Sequence, residues 1–358
     1  FALLRKWLQW CDENHRCIND EKTQKKLHTR LISVGNPDDL NYQPDKVSLV
    51  ETRQENISGE YIALSNCWGK LTPEQKEACY KTPKNYESRR QSFHVDSLLL
   101  NLQDAIKVTQ ELRNPYLWID SCCTFQNDSQ DWKNESKCME NVFASAYCTI
   151  AAASAERSDQ GFLHSKNNTN EDIYIQDGPA GKIFVCAEVA CFDEEIEKAS
   201  LNSRAWVMQE RFLSCRTIHF GHRHTYLQCG VGILSEDLTF FNHGSTKYFE
   251  QDPFFPERLF SSGYGETLKF IQNIIVDYSS RGITDNTDIV VVLSGLENRI
   301  SRALGCKTIY GIFGLYLHRT LLWKRSGEEM ERIAYKNHCK VLSLSWMAYN
   351  GGVEFLEE

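Results

Sequence analysis

Apolar residues recur along the chain in a pattern that changes twice. Leu3, Leu4, Trp7 and Leu8 fall on one helical face, predicting a short amphipathic helix over Phe1 to Trp10 that runs into the polar stretch Cys11 to Lys26. Tyr61 to Ser65 is compact and apolar, and reads as a strand. A loop through Pro73 and Pro83 is expected next, then a helix at about 97–113 in which Leu98, Leu102, Ala105, Ile106 and Leu112 keep helical spacing until Pro115. Tyr116 to Ile119 has the character of a strand buried on both faces, with Asp120 at its carboxyl end. A helix at about 130–147 follows, capped by Asp128 or Ser129, with Trp132, Met139, Val142, Phe143 and Ala146 facing inward. Thr149 to Ala153 is again strand-like. Strand, helix, strand, helix, strand is the signature of crossovers on a parallel sheet, so the fold class is α/β, a parallel sheet with flanking helices.

Beyond Gly161 the pattern shifts. Ile183 to Val189 reads as a strand, Ser203 to Leu213 as a helix, and Thr217 to Phe220 with Thr225 to Cys229 as a hairpin around Gly221. Residues 264–276, 286–302 and 310–323 read as helices, with Ile271, Ile274, Ile275, Val290, Leu293, Leu296, Ile312, Leu315 and Leu322 as core candidates. The expected organisation is a helix and irregular lead-in over 1–60, an α/β domain over 61–215, and a mainly helical C-terminal half with a β-hairpin over 216–358.

Composition narrows the function classes. Forty basic against forty-eight acidic residues give a formal charge of −8, which makes nucleic acid an unfavourable partner. Ile289 to Leu293, the longest strongly apolar stretch, is far too short for a membrane span. Fourteen scattered cysteines without regular spacing read as reduced, buried thiols of a cytoplasmic protein. The chain opens at Phe1 without an initiator Met or a charged-then-apolar leader, the pattern of a trimmed or processed start. No Gly-x-Gly-x-x-Gly follows a strand and no phosphate-cradling Gly-Lys-Ser/Thr loop occurs, which argues against a Rossmann dehydrogenase and a P-loop ATPase.

Four stretches are more specific than composition: Tyr61-Ile-Ala-Leu-Ser-Asn-Cys-Trp-Gly69, Tyr116-Leu-Trp-Ile-Asp-Ser-Cys-Cys123, Gln126-Asn-Asp-Ser-Gln-Asp-Trp132 and Ser203-Arg-Ala-Trp-Val-Met-Gln-Glu-Arg-Phe-Leu-Ser214. Together they resemble the heterokaryon incompatibility (HET) domain of filamentous fungi. Trp7-Leu8 with Cys11, His15 and Cys17, Thr29-Arg-Leu-Ile32, the Tyr278 to Asp288 segment, Leu322-Trp323 and Ser345-Trp346 extend the resemblance over nearly the whole chain. It implies a role in non-self recognition and cell death, and a TIR-like fold, a fold whose enzymes cleave NAD. The chain departs from the family pattern at Asn66, at Cys122-Cys123-Thr124 and in the closing Leu344-Ser-Trp-Met-Ala, which suggests a pocket retuned to another ligand.

Asp120 stands where a strand delivers a side chain into a crevice, beside Ser121 and the potential nucleophile Cys122; capping of the next helix would explain the same carboxylate. On the helix after Ser203, Trp206, Gln209 and Glu210 occupy i, i+3 and i+4, and Arg204 and Arg211 are one heptad apart. A site cleaving an N-glycosidic bond needs a carboxylate near the ribose and a flat apolar surface, which assigns Glu210, Asp120 and Cys122 as catalytic candidates. Ser65, Trp68, Arg204, Trp206, Gln209 and Arg211 are the ligand-binding candidates, with an Arg–Glu network and a core Trp as the structural alternative. NAD is the substrate this reading implies, and no bound cofactor or metal is assigned. The expected partners are a small-molecule ligand and either a second copy of the chain or another protein.

Two further functions remain open at this point: a biosynthetic enzyme retuned for a small fungal metabolite, and a recognition or scaffold module without catalysis. Asp128, Asp131 and Glu135 cluster at a helix start, where acids complement the macrodipole, or where a divalent metal would sit. Cys11, His15 and Cys17 offer zinc ligands with no fourth donor assigned, and His219, His222, His224 and Cys229 a second cluster on the hairpin. Lys22, Lys25, Lys26, His28 and Arg30 form a small basic patch read as solvated surface.

Overall fold

Short runs of small and β-branched residues can pack on both faces of a sheet, and here they form its middle. The computed structural model describes residues 1–15, 27–126, 128–163, 174–178, 181–185, 191–241, 259, 261–327, 329–335 and 340–356. In chain order the first six strands are β1 (Arg30–Ser33), β2 (Lys46–Glu51), β3 (Ile62–Ser65), β4 (Phe93–His94), β5 (Tyr116–Trp118) and β6 (Cys148–Ala151). A separate hairpin, β7 (Tyr174–Gly178) and β8 (Gly181–Val185), precedes β9 (Arg216–Phe220), β10 (Thr225–Cys229), β11 (Gly232–Ser235) and β12 (Phe240–Phe241). Ten of these strands make one sheet in the order β12-β11-β10-β9-β6-β3-β5-β1-β2-β4.

Among the described strands, only β5, β3, β6 and β9 run parallel to one another. The strands outside them on both flanks pair antiparallel, so the expected parallel sheet is the centre of a larger mixed one. On one flank β1 and β2 come from the segment read as an irregular lead-in. Leu31 and Ile32 are too short a run to show a period, and the fold supplies the neighbour that makes them a strand. On the other flank the hairpin around Gly221 joins the sheet through β9, which lies beside β6.

The helices are α1 (Ala2–Asn14), α2 (Pro73–Cys79), α3 (Tyr86–Gln91), α4 (Leu100–Glu111), the single turn α5 (Asp120–Cys123), α6 (Ser129–Ser145), α7 (Ala205–Leu213), α8 (Gly263–Ser280) and α9 (Ile289–Leu304). The loop expected through Pro73 is a helix. Pro73 occupies its first turn, where no N–H is needed, and Thr72 and Gln75 close a capping box. The helix expected over 310–323 breaks up: Thr308–Ile309 pairs with Ile312–Phe313 around Gly311, and only a 3₁₀ turn and one helical turn, Leu317–Thr320, follow. Of the inward stripe predicted for α6, Val142 and Phe143 are buried in the core, while the Trp132 side chain lies outside the described residues.

One apolar core joins the parallel strands to α1, α4 and α6. A second gathers α8, α9 and the C-terminal Trp346-Met347-Ala348 around Ala205, Met208 and Phe212 of α7. Val207 packs into a third with Phe192, Ile196 and Tyr226. Helix α7 is therefore wedged between packing units, and α9 approaches both it and α6 closely at Gly295, where a Cβ would run into the Gln209 amide of α7 and lie 2.9 Å from the Glu140 Cβ of α6.

Candidate functional site

Strand β3 is the first parallel strand, and the chain places β5 on one side of it and β6 on the other. That reversal is a topological switch point, where loops at the carboxyl ends diverge and leave a crevice. A cavity of about 770 Å³ opens there. Asn66, Cys67 and Trp68 enter it from the loop after β3, and Asp120 from the end of the β5 segment. Glu135 and Met139 come from α6, and Arg204, Trp206 and Glu210 from the start and middle of α7. Gly69 makes the turn after Trp68 with φ +69°, and a Cβ there would stand 2.8 Å from the Arg157 Cβ, so the loop takes this course only with glycine.

Five carboxylic acids line this cavity, and burial raises two of them, Asp120 and Glu210. Burial lifts Asp120 from its ordinary 3.8 to about 6, against the opposing pull of the Thr124 hydroxyl, Arg204 and His28. Burial lifts Glu210 to about 7, and the negative charge of Asp120 adds to the rise while Ser65 and Arg204 oppose it. Glu210 Oε2 and Ser65 Oγ are sealed from solvent without a hydrogen bond of ordinary geometry. Arg204 precedes α7 in extended conformation, and its Nη1 donates to the Asn66 carbonyl at 2.5 Å. The backbone around it is pinned to the loop before α9, with Ala205 N donating to Gly282 O at 2.9 Å and Gly282 N to Ser203 O at 2.7 Å. An acid near pH 7 beside one mostly ionised at that pH is an arrangement suited to proton transfer and to stabilising developing positive charge.

Behind Asp120 lies a charged network. His28 Nε2 is 2.7 Å from Glu135 Oε2, and Arg30 Nη2 reaches Glu135 Oε1 at 2.9 Å and Asp131 Oδ1 at 2.5 Å. Burial alone would raise Glu135; His28 and Arg30 outweigh it and hold the carboxyl at about 2. Asp131 and Glu135 thus face protein cations, while Asp128 caps α6 by accepting from the Gln130 and Asp131 amides. Lys81 is fully buried nearby, with its Nζ donating to Cys123 O at 2.7 Å and lying 3.7 Å from the Phe125 ring centre; burial lowers it to about 8.

Residues 61–210 match the model of the heterokaryon incompatibility (HET) protein family. The matched stretch is a HET domain. No curated protein and no solved structure matches the chain. The matched stretch begins at β3 and ends at Glu210, so Asp120 and Glu210 both fall within it.

The candidate residues divide. Asp120, Glu210, Trp68, Arg204 and Trp206 line the cavity, and Ser65 sits buried beside Glu210. Three others go elsewhere. Cys122 is fully buried, donates from Sγ to Cys79 O at 3.3 Å, and has its thiol pKa raised by burial, which suits a packed thiol and not a nucleophile. Gln209 turns towards Gly295 of α9. Arg211 pairs in two-pronged fashion with Glu197, at 3.0 Å to each oxygen, and also contacts Asn202 and Gln228. The heptad relation of Arg204 and Arg211 failed to predict a shared face because Arg204 is the residue before the helix, outside its periodicity.

Cys67 and Tyr80 line the cavity and were not singled out by the sequence. Cys67 lies inside the first motif, two residues past the end of β3, and that position was the available signal. The hairpin histidines do not gather: His219 bonds Gln228 at 2.8 Å, His224 bonds Glu195 at 2.6 Å, and His222 is exposed. Of the N-terminal set, Cys11 and His15 are described, whereas Cys17, Lys22, Lys25 and Lys26 lie outside the described residues. No helix among the described residues is long and apolar enough to cross a membrane.

Proposed function

We propose that the cavity binds a nucleotide-like small molecule and hydrolyses its N-glycosidic bond, with NAD as the substrate. The observation that carries this reading is the meeting of Asp120 and Glu210, ninety positions apart, in one aromatic-walled cavity at the carboxyl ends of the parallel strands. Trp68 and Trp206 offer flat apolar faces for a nicotinamide or adenine ring. Asp120, Glu135, Glu156, Glu210 and Asp288 outnumber Lys70, Lys76 and Arg204 around the walls, an imbalance that suits the cationic nicotinamide ring.

In this mechanism the bond from ribose C1′ to the ring nitrogen breaks, and its electron pair leaves with nicotinamide, which departs neutral. The positive charge then resides on the ribose, where ionised Glu210 stabilises it. Water adds to C1′ and passes its proton to Asp120. The family's association with non-self recognition and cell death, and a TIR-like reading of the sheet, belong to this proposal, since loss of NAD would be the lethal output.

The test is nicotinamide release from NAD by the purified chain, compared with Glu210→Gln and Asp120→Asn. Release by the parent and its loss in both variants, with melting profiles retained, is the expected result. Absence of release by the parent at high protein concentration removes the hydrolase reading.

A further inference from the structure

Outside the cavity, the end of α1 meets the sheet at a cluster of soft donors. Strand register sets Arg216 of β9 opposite Cys229 of β10. Arg216 is fully buried; its Nη1 donates to Asp12 Oδ1 at 2.6 Å and to Leu8 O at 3.3 Å, and its guanidinium stacks 4.0 Å from the Tyr147 ring centre. These bonds clamp α1 against the hairpin. Cys11, in the last turn of α1, and His15, the extended residue that caps its carboxyl end, consequently face Cys229.

The Cys11 sulfur, a His15 ring nitrogen and the Cys229 sulfur all lie within 4.8 Å of one another, with Cys229 Sγ 3.4 Å from His15 Nδ1. Zinc bond lengths of about 2.3 Å to sulfur and 2.0–2.1 Å to nitrogen, at tetrahedral angles, require donor separations of about 3.5–3.8 Å. Cys11 is completely buried and Cys229 nearly so, while His15 is half-exposed and packed edge-on against Trp10 at 4.4 Å. No described cysteine is in a disulfide.

We propose that Cys11, His15 and Cys229 form a structural zinc site that staples the end of α1 to the β9–β10 hairpin. Two thiolates and one imidazole are the donor set that a borderline-soft divalent ion selects over calcium or magnesium. They neutralise its charge and leave one tetrahedral position for a fourth donor. Binding displaces the two thiol protons, so affinity rises with pH. The link spans 214 positions of sequence, which is why its loss would loosen the N-terminal helix from the sheet.

The experiment uses the full chain, purified under reducing conditions. Metal content is measured by mass spectrometry, zinc affinity by chelator competition, and geometry by the visible absorption of the cobalt(II)-substituted protein. About one zinc per chain, a tetrahedral thiolate cobalt spectrum and a melting temperature lowered by chelator and restored by zinc are expected. Cys229→Ser should abolish the cobalt spectrum. His15→Ala alters a half-exposed residue that the core does not need for folding, and should weaken zinc at least as much as loss of an outer-shell partner, roughly 10- to 100-fold. No zinc binding by the reduced chain, a Cys11–Cys229 disulfide in the purified chain, or parental affinity in both variants overturns the proposal.

Discussion

Glu210→Gln should make the protein harder to unfold at alkaline pH and leave its stability in mild acid nearly unchanged. Burial raises this carboxyl from 4.5 to about 7, so the folded chain holds a proton that the unfolded chain has released between those values. A proton held by the folded state alone stabilises it. The contribution is complete below pH 4.5 and is lost as the pH climbs through 7. At about 1.4 kcal/mol per tenfold change in proton affinity, the parent loses about 2.5 kcal/mol from this group between pH 5 and pH 8. Glutamine keeps the shape and carries no titrating charge, so the variant escapes that loss. With an unfolding entropy of about 2.1 cal/mol/K per residue, about 2.5 kcal/mol over the whole chain corresponds to about 3 °C in melting temperature. Melting profiles of parent and variant at pH 5, 6, 7 and 8 provide the assay. Equal pH slopes in the two proteins, or a variant less stable than the parent at pH 8, would refute the claim that the cavity holds Glu210 at a cost to the fold.

Arg211→Met removes one partner of the buried pair with Glu197, and about 3–5 kcal/mol of stability should go with it in chemical unfolding; nicotinamide release per folded molecule should persist, since Arg211 does not line the cavity. Cys122→Ala should cost about 1 kcal/mol and retain full release, and a loss of turnover without unfolding would reinstate the thiol as a nucleophile. Lys81 is lowered to about 8 from 10.5, so the unfolded chain binds the extra proton; the stability tied to this group is complete above pH 10.5 and is lost as the pH falls through 8. Against Lys81→Met, the parent should therefore gain about 3 kcal/mol in relative stability as the pH rises across that window, read by urea unfolding at pH 7.5 and 10.5.

The sequence by itself determined the parts whose pattern is local. The apolar run before Asp120, the helical spacing of α4, α6, α8 and α9, and the strand–helix alternation from residue 61 all express side-chain periodicity, which neighbouring positions set without help from the rest of the chain. The motifs around Ser65, Asp120 and Arg204 likewise marked the family, and the residues closest to the strand and helix ends entered the cavity. Only tertiary structure decided what depends on distant partners. Leu31 and Ile32 became a strand because β5 and β2 stood on either side, and the helix expected over 310–323 yielded to a turn at Gly311, packed against Trp346. Direction around a short helix was also undecidable from spacing: Trp206 and Glu210 face the cavity while Gln209 turns to α9 and Arg211 to Glu197, because each face of α7 meets a different part of the fold. The meeting of Cys11 and His15 with Cys229 depends in the same way on Arg216 drawing α1 onto β9, a long-range bond that no pattern within either segment encodes.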